Sequence, residues 1–183
     1  MNQSISNAML FNMAIIFVAI LLAFFVGSLS YSKASKVNNR IIEEIEKYGE
    51  AAGENQAKID SAYSDAYDNI ISWLQHGDEA HETGIGYRQV RGLKRPCPSA
   101  DTIKDETEAA HVVDVTATAS AGSTATNPYE YCVYRIKNCT GNNKGCYTYY
   151  RVITYMYFDV PLVEDLVRLP INGETMGFRT RNS

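Results

Sequence analysis

The first 32 residues carry no Asp, Glu, Lys or Arg, and this constrains the chain more than any other feature. Within them Ala8–Gly27 reads AMLFNMAIIFVAILLAFFVG, where Asn12 is the one polar side chain. At ~1.5 Å per residue a helix of about 20 residues crosses the roughly 30 Å hydrocarbon layer of a bilayer. It also satisfies its backbone polar groups internally, as lipid requires. Two readings of this segment compete. A cleaved secretory signal would have a basic start and an apolar run of only ~7–15 residues, although Ser28-Leu-Ser30 and Ser32-Lys-Ala34 have the small residues of a cleavage site. The length and missing basic start favour a retained anchor over residues 1–32, with Phe17, Leu21 and Phe24 facing lipid or a neighbouring helix. Asn12 in hydrocarbon wants a hydrogen-bonding partner, which points to helix–helix contact in the membrane.

All the charge lies in the remaining residues of the 183. Seventeen Lys and Arg stand against 21 Asp and Glu, a formal net charge of −4, so a nucleic-acid partner is not expected. Lys33, Lys36 and Arg40 follow the apolar run, and counting positive charge alone would keep the body in the cytoplasm. The cysteines argue the other way. Cys97, Cys132, Cys139 and Cys146 are even in number and all lie beyond the anchor, as in extracytoplasmic domains that offset a modest core with disulfides. We read the body as extracytoplasmic. Cys139-Thr-Gly-Asn-Asn-Lys-Gly-Cys146 looks like a hairpin loop closed by its own ends. Of the three connectivities possible, 139–146 with 97–132 is expected.

The helical pattern continues past the anchor. Val37, Ile41, Ile45, Tyr48 and Ala52 recur at steps of three and four, one apolar stripe of an amphipathic helix. Gly49 and Gly53 are its expected stop. The stripe has two compatible uses, to pack under the chain's own sheet or to meet a partner helix. A second helix is predicted from about Asn55 to Gln75, with Ile59, Tyr63, Ala66 or Tyr67, Ile70 and Leu74 on its apolar face and Gly77 as its stop. Residues 33–76 thus form a helical region and 77–183 a β-rich one.

Within the β-rich region, Tyr87–Arg91 and Val112–Val115 suggest short strands, and residues 99–128 read as a flexible loop. Their Ser/Thr/Ala stretch lacks large apolar groups and charge. Tyr131–Lys137, a loop, and Cys146–Val160 read as a long hairpin. Along its second arm Tyr150, Val152, Thr154, Met156 and Phe158 point one way. Tyr149, Arg151, Ile153, Tyr155 and Tyr157 point the other. Leu162–Val167 suggests a helical turn closed by Pro170, and Thr175–Thr180 a last strand.

Ser6-Asn-Ala-Met-Leu-Phe-Asn-Met13, Lys36-Val-Asn-Asn-Arg40, Ile45-Glu-Lys-Tyr-Gly49, Ile85-Gly-Tyr-Arg88 and Tyr150-Arg-Val-Ile-Thr-Tyr-Met-Tyr-Phe-Asp-Val-Pro-Leu162 occur in that order. Together they resemble the TadE-like proteins of tight-adherence pilus systems. The resemblance implies an α+β, pilin-like fold: a long N-terminal transmembrane and amphipathic helix, plus a second helix packed on a small antiparallel sheet. It further implies a minor pilin or pseudopilin whose partners are the lipid bilayer, other pilin-like subunits and a pilus assembly platform. The first acidic residue is Glu43, whereas major pilins carry a Glu at the fifth mature position. No basic leader for a prepilin peptidase precedes the apolar run either. An accessory role is therefore expected over that of a major subunit.

Catalytic and cofactor signatures are missing from the sequence. It has no G-x-S-x-G elbow and no glycine-rich phosphate loop. His76 and His81 are off the spacing that puts two ligands on one helical face, and no close cysteine pair suggests zinc. Asp60, Asp65 and Asp68, beside Ser61 and Ser64, read as a solvated helix face. No enzymatic activity, metal or cofactor is expected. The alternative function is a single-pass, membrane-tethered extracellular binding module. It would take an unknown surface ligand on the Tyr-rich sheet, through Tyr149, Arg151, Tyr155 and Tyr157, or on the Ser/Thr/Ala loop.

Overall fold

The computed structural model describes residues 2–77, 87, 97–98, 112–114, 129–139, 146–157 and 168–180. Two helices and a five-stranded antiparallel sheet give the α+β, pilin-like layout. Helix α1 is one unbroken element, Asn2–Ala52, about 76 Å long at 1.5 Å per residue. The anchor and the amphipathic stripe are thus two halves of one helix, and Gly49 does not interrupt it. The stop is at Gly53, whose positive φ of 59° suits glycine. Here Gly53 N–H bonds to Glu50 O at 3.1 Å and Asn55 N–H to Ala52 O at 3.2 Å.

Helix α2 spans Gln56–His76. Asn55 caps its start by accepting from Lys58 N–H at 3.2 Å, and Gly77 closes it by donating to Trp73 O at 2.7 Å. Both caps are at positions the sequence marks for them. The face buried by α2 is Ile59, Ala62, Tyr63, Ala66, Ile70, Trp73 and Leu74.

The strands are β1 Val112–Asp114, β2 Tyr131–Cys139, β3 Cys146–Tyr157, β4 Arg168–Glu174 and β5 Phe178–Thr180. They run in the order β1-β2-β3-β4, with β5 also paired to β3. The expected hairpin is present, its first arm two residues longer than predicted. Val112 begins a short edge strand, as its β-branched neighbours suggest. Between β4 and β5 the partners step from Arg151–Glu174 to Thr148–Phe178. Between these rungs two residues of β3 face three of the returning chain, so one residue is extra and the strand bulges. Tyr150 fills the gap in the ladder: its N–H donates to Thr175 Oγ1 and its carbonyl accepts from Thr175 N–H, each at 2.9 Å.

Strand β4 is not anticipated by the sequence reading; the helical turn expected over residues 162–167 lies outside those described. Pro170 sits inside β4 opposite Tyr155. The Tyr155 N–H points away from β4, donating to Tyr87 Oη at 3.0 Å, so the pair is not bonded across and the N–H that proline lacks would have faced the open side of the outer strand, where proline is tolerated. The expected strand at 87–91 falls on Tyr87 alone, which is described outside any strand. The Ser/Thr/Ala loop lies outside the described residues apart from β1.

The helix-facing side of the sheet closes the main core. Val37, Ile41 and Ile45 of α1, with Ile59, Tyr63, Ala66 and Ile70 of α2, pack on Tyr131, Val133, Tyr150, Val152 and Met156. One polar bolt crosses it. Buried Asn38 donates its amide to Val152 O at 3.0 Å, Ile171 O at 3.1 Å and Thr154 Oγ1 at 3.3 Å. Thr154 in turn donates to Ala34 O at 3.0 Å. Two glycines allow this closeness, since a Cβ on Gly49 would collide with the Phe178 ring and one on Gly173 with Asn38 and Ile42.

Candidate functional site: the exposed helix and its collar

Below Ala34 nothing in the described chain encloses α1. Its most apolar stretch is entirely unburied, and α1 is the one described helix long and apolar enough to cross a membrane. Phe17, Leu21 and Phe24 are 62, 52 and 79 % exposed, and Asn12 is exposed on the same stretch. In water so much open apolar surface is strongly unfavourable, and patches of this kind mark contact with a membrane or another protein. The long apolar helix near the N-terminus is compatible with a single-pass anchor.

The partner-helix stripe ends differently. Val37, Ile41 and Ile45 are fully buried within the chain. Tyr48 is half-buried against the same core, and its hydroxyl accepts from Asn69 Nδ2 at 2.9 Å. The stripe is therefore used up under the chain's own sheet and is not free to meet a partner helix. The helix side open to a neighbour is the apolar half.

The proposed ligand face also needs correcting. The outer side of the sheet holds a second, smaller core of Cys132, Tyr134, Ile153 and Tyr155, with Cys97 packed against it. The Cys97–Cys132 disulfide pins residues 97–98 over the sheet, and Tyr134 Oη donates to Pro98 O at 2.7 Å. Tyr87, which packs with the main core, closes the adjoining strand end, donating to Glu130 O at 2.7 Å. Tyr155 is consequently buried, with its hydroxyl 3.7 Å from Cys132 Sγ. Arg151 holds Glu174 with Nε at 2.6 Å and Nη2 at 2.5 Å from Oε1. Tyr149 is half-buried, and the Tyr157 side chain lies outside those described. Of the residues the sequence pattern presents as an aromatic platform, Tyr155 is covered and Arg151 is tied to Glu174, while Tyr149 keeps part of its surface open.

The 97–132 disulfide is the pairing the sequence reading expects. For the other pair, Cys139 and Cys146 are direct register partners at the end of the β2–β3 ladder; their side chains lie outside those described.

Tyrosines also fasten α2 to the sheet. Tyr63 and Tyr131 hydroxyls are 3.0 Å apart in the core. Burial, then Tyr63, pushes the Tyr131 phenol well above its usual range. Tyr150 Oη donates to Ile59 O at 2.5 Å and Asp60 O at 3.0 Å. Burial pushes it up to about 12, against the opposing pull of nearby Arg135. Asp60 takes Gln56 Nε2 at 2.6 Å and faces Arg135 Nη1 at 3.5 Å, while Asp65 accepts from Ser61 at 2.9 Å. These carboxylates hold the helix and its seam. His76 Nδ1 lies 3.1 Å from Ser72 O; His81 and His111 lie outside the described residues. Among the described residues no cluster of three metal-ligating side chains exists.

A groove of about 680 Å³ runs along the other side of α1, just above the apolar half. Ser28, Tyr31, Ser32 and Ser35 line its lower wall, and Lys36, Arg40 and Trp73 its upper part. Arg40 binds Glu43 Oε2 at 3.1 Å and Glu44 Oε1 at 2.9 Å. Its guanidinium stands 5.9 Å from the Trp73 ring centroid. The spacing of Arg40 from Glu43 and Glu44 announces this fork in the sequence, but the stacked Trp73, 33 residues away in sequence, does not.

Comparison of the chain with family models, with curated proteins and with solved structures finds no match in any of the three.

Proposed function

We propose that this chain is a non-enzymatic minor pilin or pseudopilin, held in the cell membrane by α1 with its body outside, that acts in assembly or decoration of a surface pilus. The observation that carries this reading is the division of one 51-residue helix. Its apolar half is bare and its other half is the spine of a small disulfide-bonded body. A helix of this kind can stay in the bilayer or transfer its bare half to neighbouring helices without altering the body's fold. The other pilin-like subunits and an assembly platform are the partners it would need. The burial of Tyr155 beneath residues 97–98 leaves the tethered-binder alternative less open aromatic surface than the alternation along β3 suggests.

Deleting the chain from its source cell tests the proposal. Surface appendages should be lost or reduced in sheared fractions and restored by the full chain. They should not be restored by residues 33–183 exported without the apolar half. Unchanged appendages would overturn the pilus role. Orientation is tested by maleimide labelling of intact cells. Cysteines that react only after an external reductant place the body outside, whereas thiols reached only on lysis, with no effect of reductant, place it in the cytoplasm.

A further inference from the structure

We propose that the lower end of the groove along α1 binds one anionic phospholipid. Lys36 attracts its phosphate, the hydroxyls of Ser28, Tyr31 and Ser32 meet its polar oxygens, and its acyl chains lie along Phe17, Leu21 and Phe24. The inference rests on reading residues 8–27 as a membrane span.

Phe17, Leu21, Phe24, Ser28, Ser32 and Ser35 follow one another at steps of three and four, so they share one face of α1. Tyr31 and Lys36 flank that face, three places after Ser28 and four after Ser32. The sheet covers a different side of the helix, where Ala34, Val37 and Ile41 are buried. Phe17, Leu21, Phe24 and Tyr31 are each more than half exposed, and Ser28, Ser32 and Lys36 are exposed with them. Along this one face the chemistry changes once. It is hydrocarbon up to Phe24, hydroxyl from Ser28 and cationic at Lys36. A phospholipid lying against a helix has the same order of parts: chains, ester oxygens, then phosphate.

The levels agree. Counted from Gly27, where the apolar run ends, Ser28, Tyr31 and Ser32 stand about 1.5, 6 and 7.5 Å above the hydrocarbon edge, inside the roughly 5–8 Å of headgroup layer. Tyr31 has the ring that favours this boundary. The Lys36 backbone is about 13.5 Å up, but helical side chains lean toward the N-terminus and lysine stems reach for the interface. One turn of reach brings its ammonium to about 8 Å. Higher in the groove an anion is opposed. Arg40 is already held by Glu43 and Glu44, and Glu43 lines the upper wall. Lys33 is exposed nearby but is not among the residues lining the groove. At about 680 Å³ the groove has the size of a small-ligand site, so its lower part can take a headgroup. A choline headgroup brings its own cation to the phosphate, whereas a phosphatidylglycerol keeps a net negative charge for Lys36 to meet.

Lipid-selective quenching tests this in the full chain. In a Trp73→Phe background, Phe24→Trp reports from the proposed face and Ala23→Trp from another side of α1 at nearly the same depth. Each variant is reconstituted in phosphatidylcholine vesicles with a minor fraction of brominated lipid, either phosphatidylglycerol or phosphatidylcholine, and circular dichroism checks its fold. Phe24→Trp should favour brominated phosphatidylglycerol by about fivefold, the attraction of one lysine to an anionic surface, and Ala23→Trp should favour neither. Lys36→Gln should erase the preference, Lys36→Arg should keep it, and Lys33→Gln should leave most of it. Equal preference at both reporters, or equal losses with Lys33→Gln and Lys36→Gln, would mean diffuse attraction and overturn the site. Both reporters quenched with no preference would overturn the site and leave the span standing. Quenching of Ala23→Trp alone would put another helix on the face and also overturn the lipid. If neither reporter is quenched, the span itself falls and the site with it.

Discussion

The two halves of α1 share one backbone, yet they meet opposite surroundings. Around Ile41 every direction on the buried side is filled by β3, β4 and α2, and the residue is fully enclosed. Leu21 belongs to a stretch with no buried residue, and about half its surface is open. The difference lies in what occupies the opposite face. Charged residues cover it in the upper half (Glu43, Lys47, Glu50), so a single stripe is apolar and a single stripe is buried. In the lower half every face is apolar, which no one-sided sheet can satisfy and only a surrounding apolar medium or several helices can.

Paired substitutions break the comparison if it is wrong. The largest effect is expected from Ile41→Ala, about 2–5 kcal/mol off the body's unfolding free energy through cavity formation. Leu21→Ala should leave the denaturant midpoint of the body unchanged. Equal losses would mean that the lower half is part of the folded core. Next come the two asparagines. Asn38→Leu removes three donations to buried acceptors and should cost about 1–3 kcal/mol. Asn12→Leu should spare stability but weaken self-association in detergent, read by sedimentation; an unaltered oligomer would remove the case for helix pairing through Asn12. Gly49→Ala tests the upper end. Overpacking against Phe178 should lower stability by about 1–3 kcal/mol, and an undisturbed melting temperature would refute the close approach.

The smallest effect concerns pH. Tyr150 is neutral in the fold and its phenol is raised to about 12, against about 10 in an unfolded chain. The raised value means the folded state favours the protonated form. Its contribution is complete below about pH 10 and declines as pH rises towards 12. Alkaline titration followed by tyrosinate absorbance should show late ionisation coupled to loss of the body's fold, and Tyr150→Phe should remove part of that coupling. The span's helicity in detergent should not change across the same window.

The helices were readable because their signals are local. Asn55, Gly53 and Gly77 cap where cap chemistry says they should, and the stripe from Val37 to Ala52 repeats at helical spacing. The Cys97–Cys132 bond was open to guesswork because only a few pairings exist. Strand β4 was missed because Pro170 looks like a terminator. Only the pairing of distant segments, which puts β4 on the outside of the sheet with Pro170 at a pair not bonded across, makes proline acceptable there. The tyrosine face was misread for a related reason. Alternation gives the direction of Tyr155 but cannot tell that residues 97–98, held by a disulfide, lie across it.

By itself the sequence determined that one helix had to be long, bare of charge for its first 32 residues and striped thereafter, since periodicity and charge act within a few residues. Only the tertiary structure decided which apolar surfaces stay open. It closed the stripe, covered Tyr155 and left the apolar half of α1 open. Exposure is a property of contacts between residues distant in the chain, and local patterns do not encode those contacts.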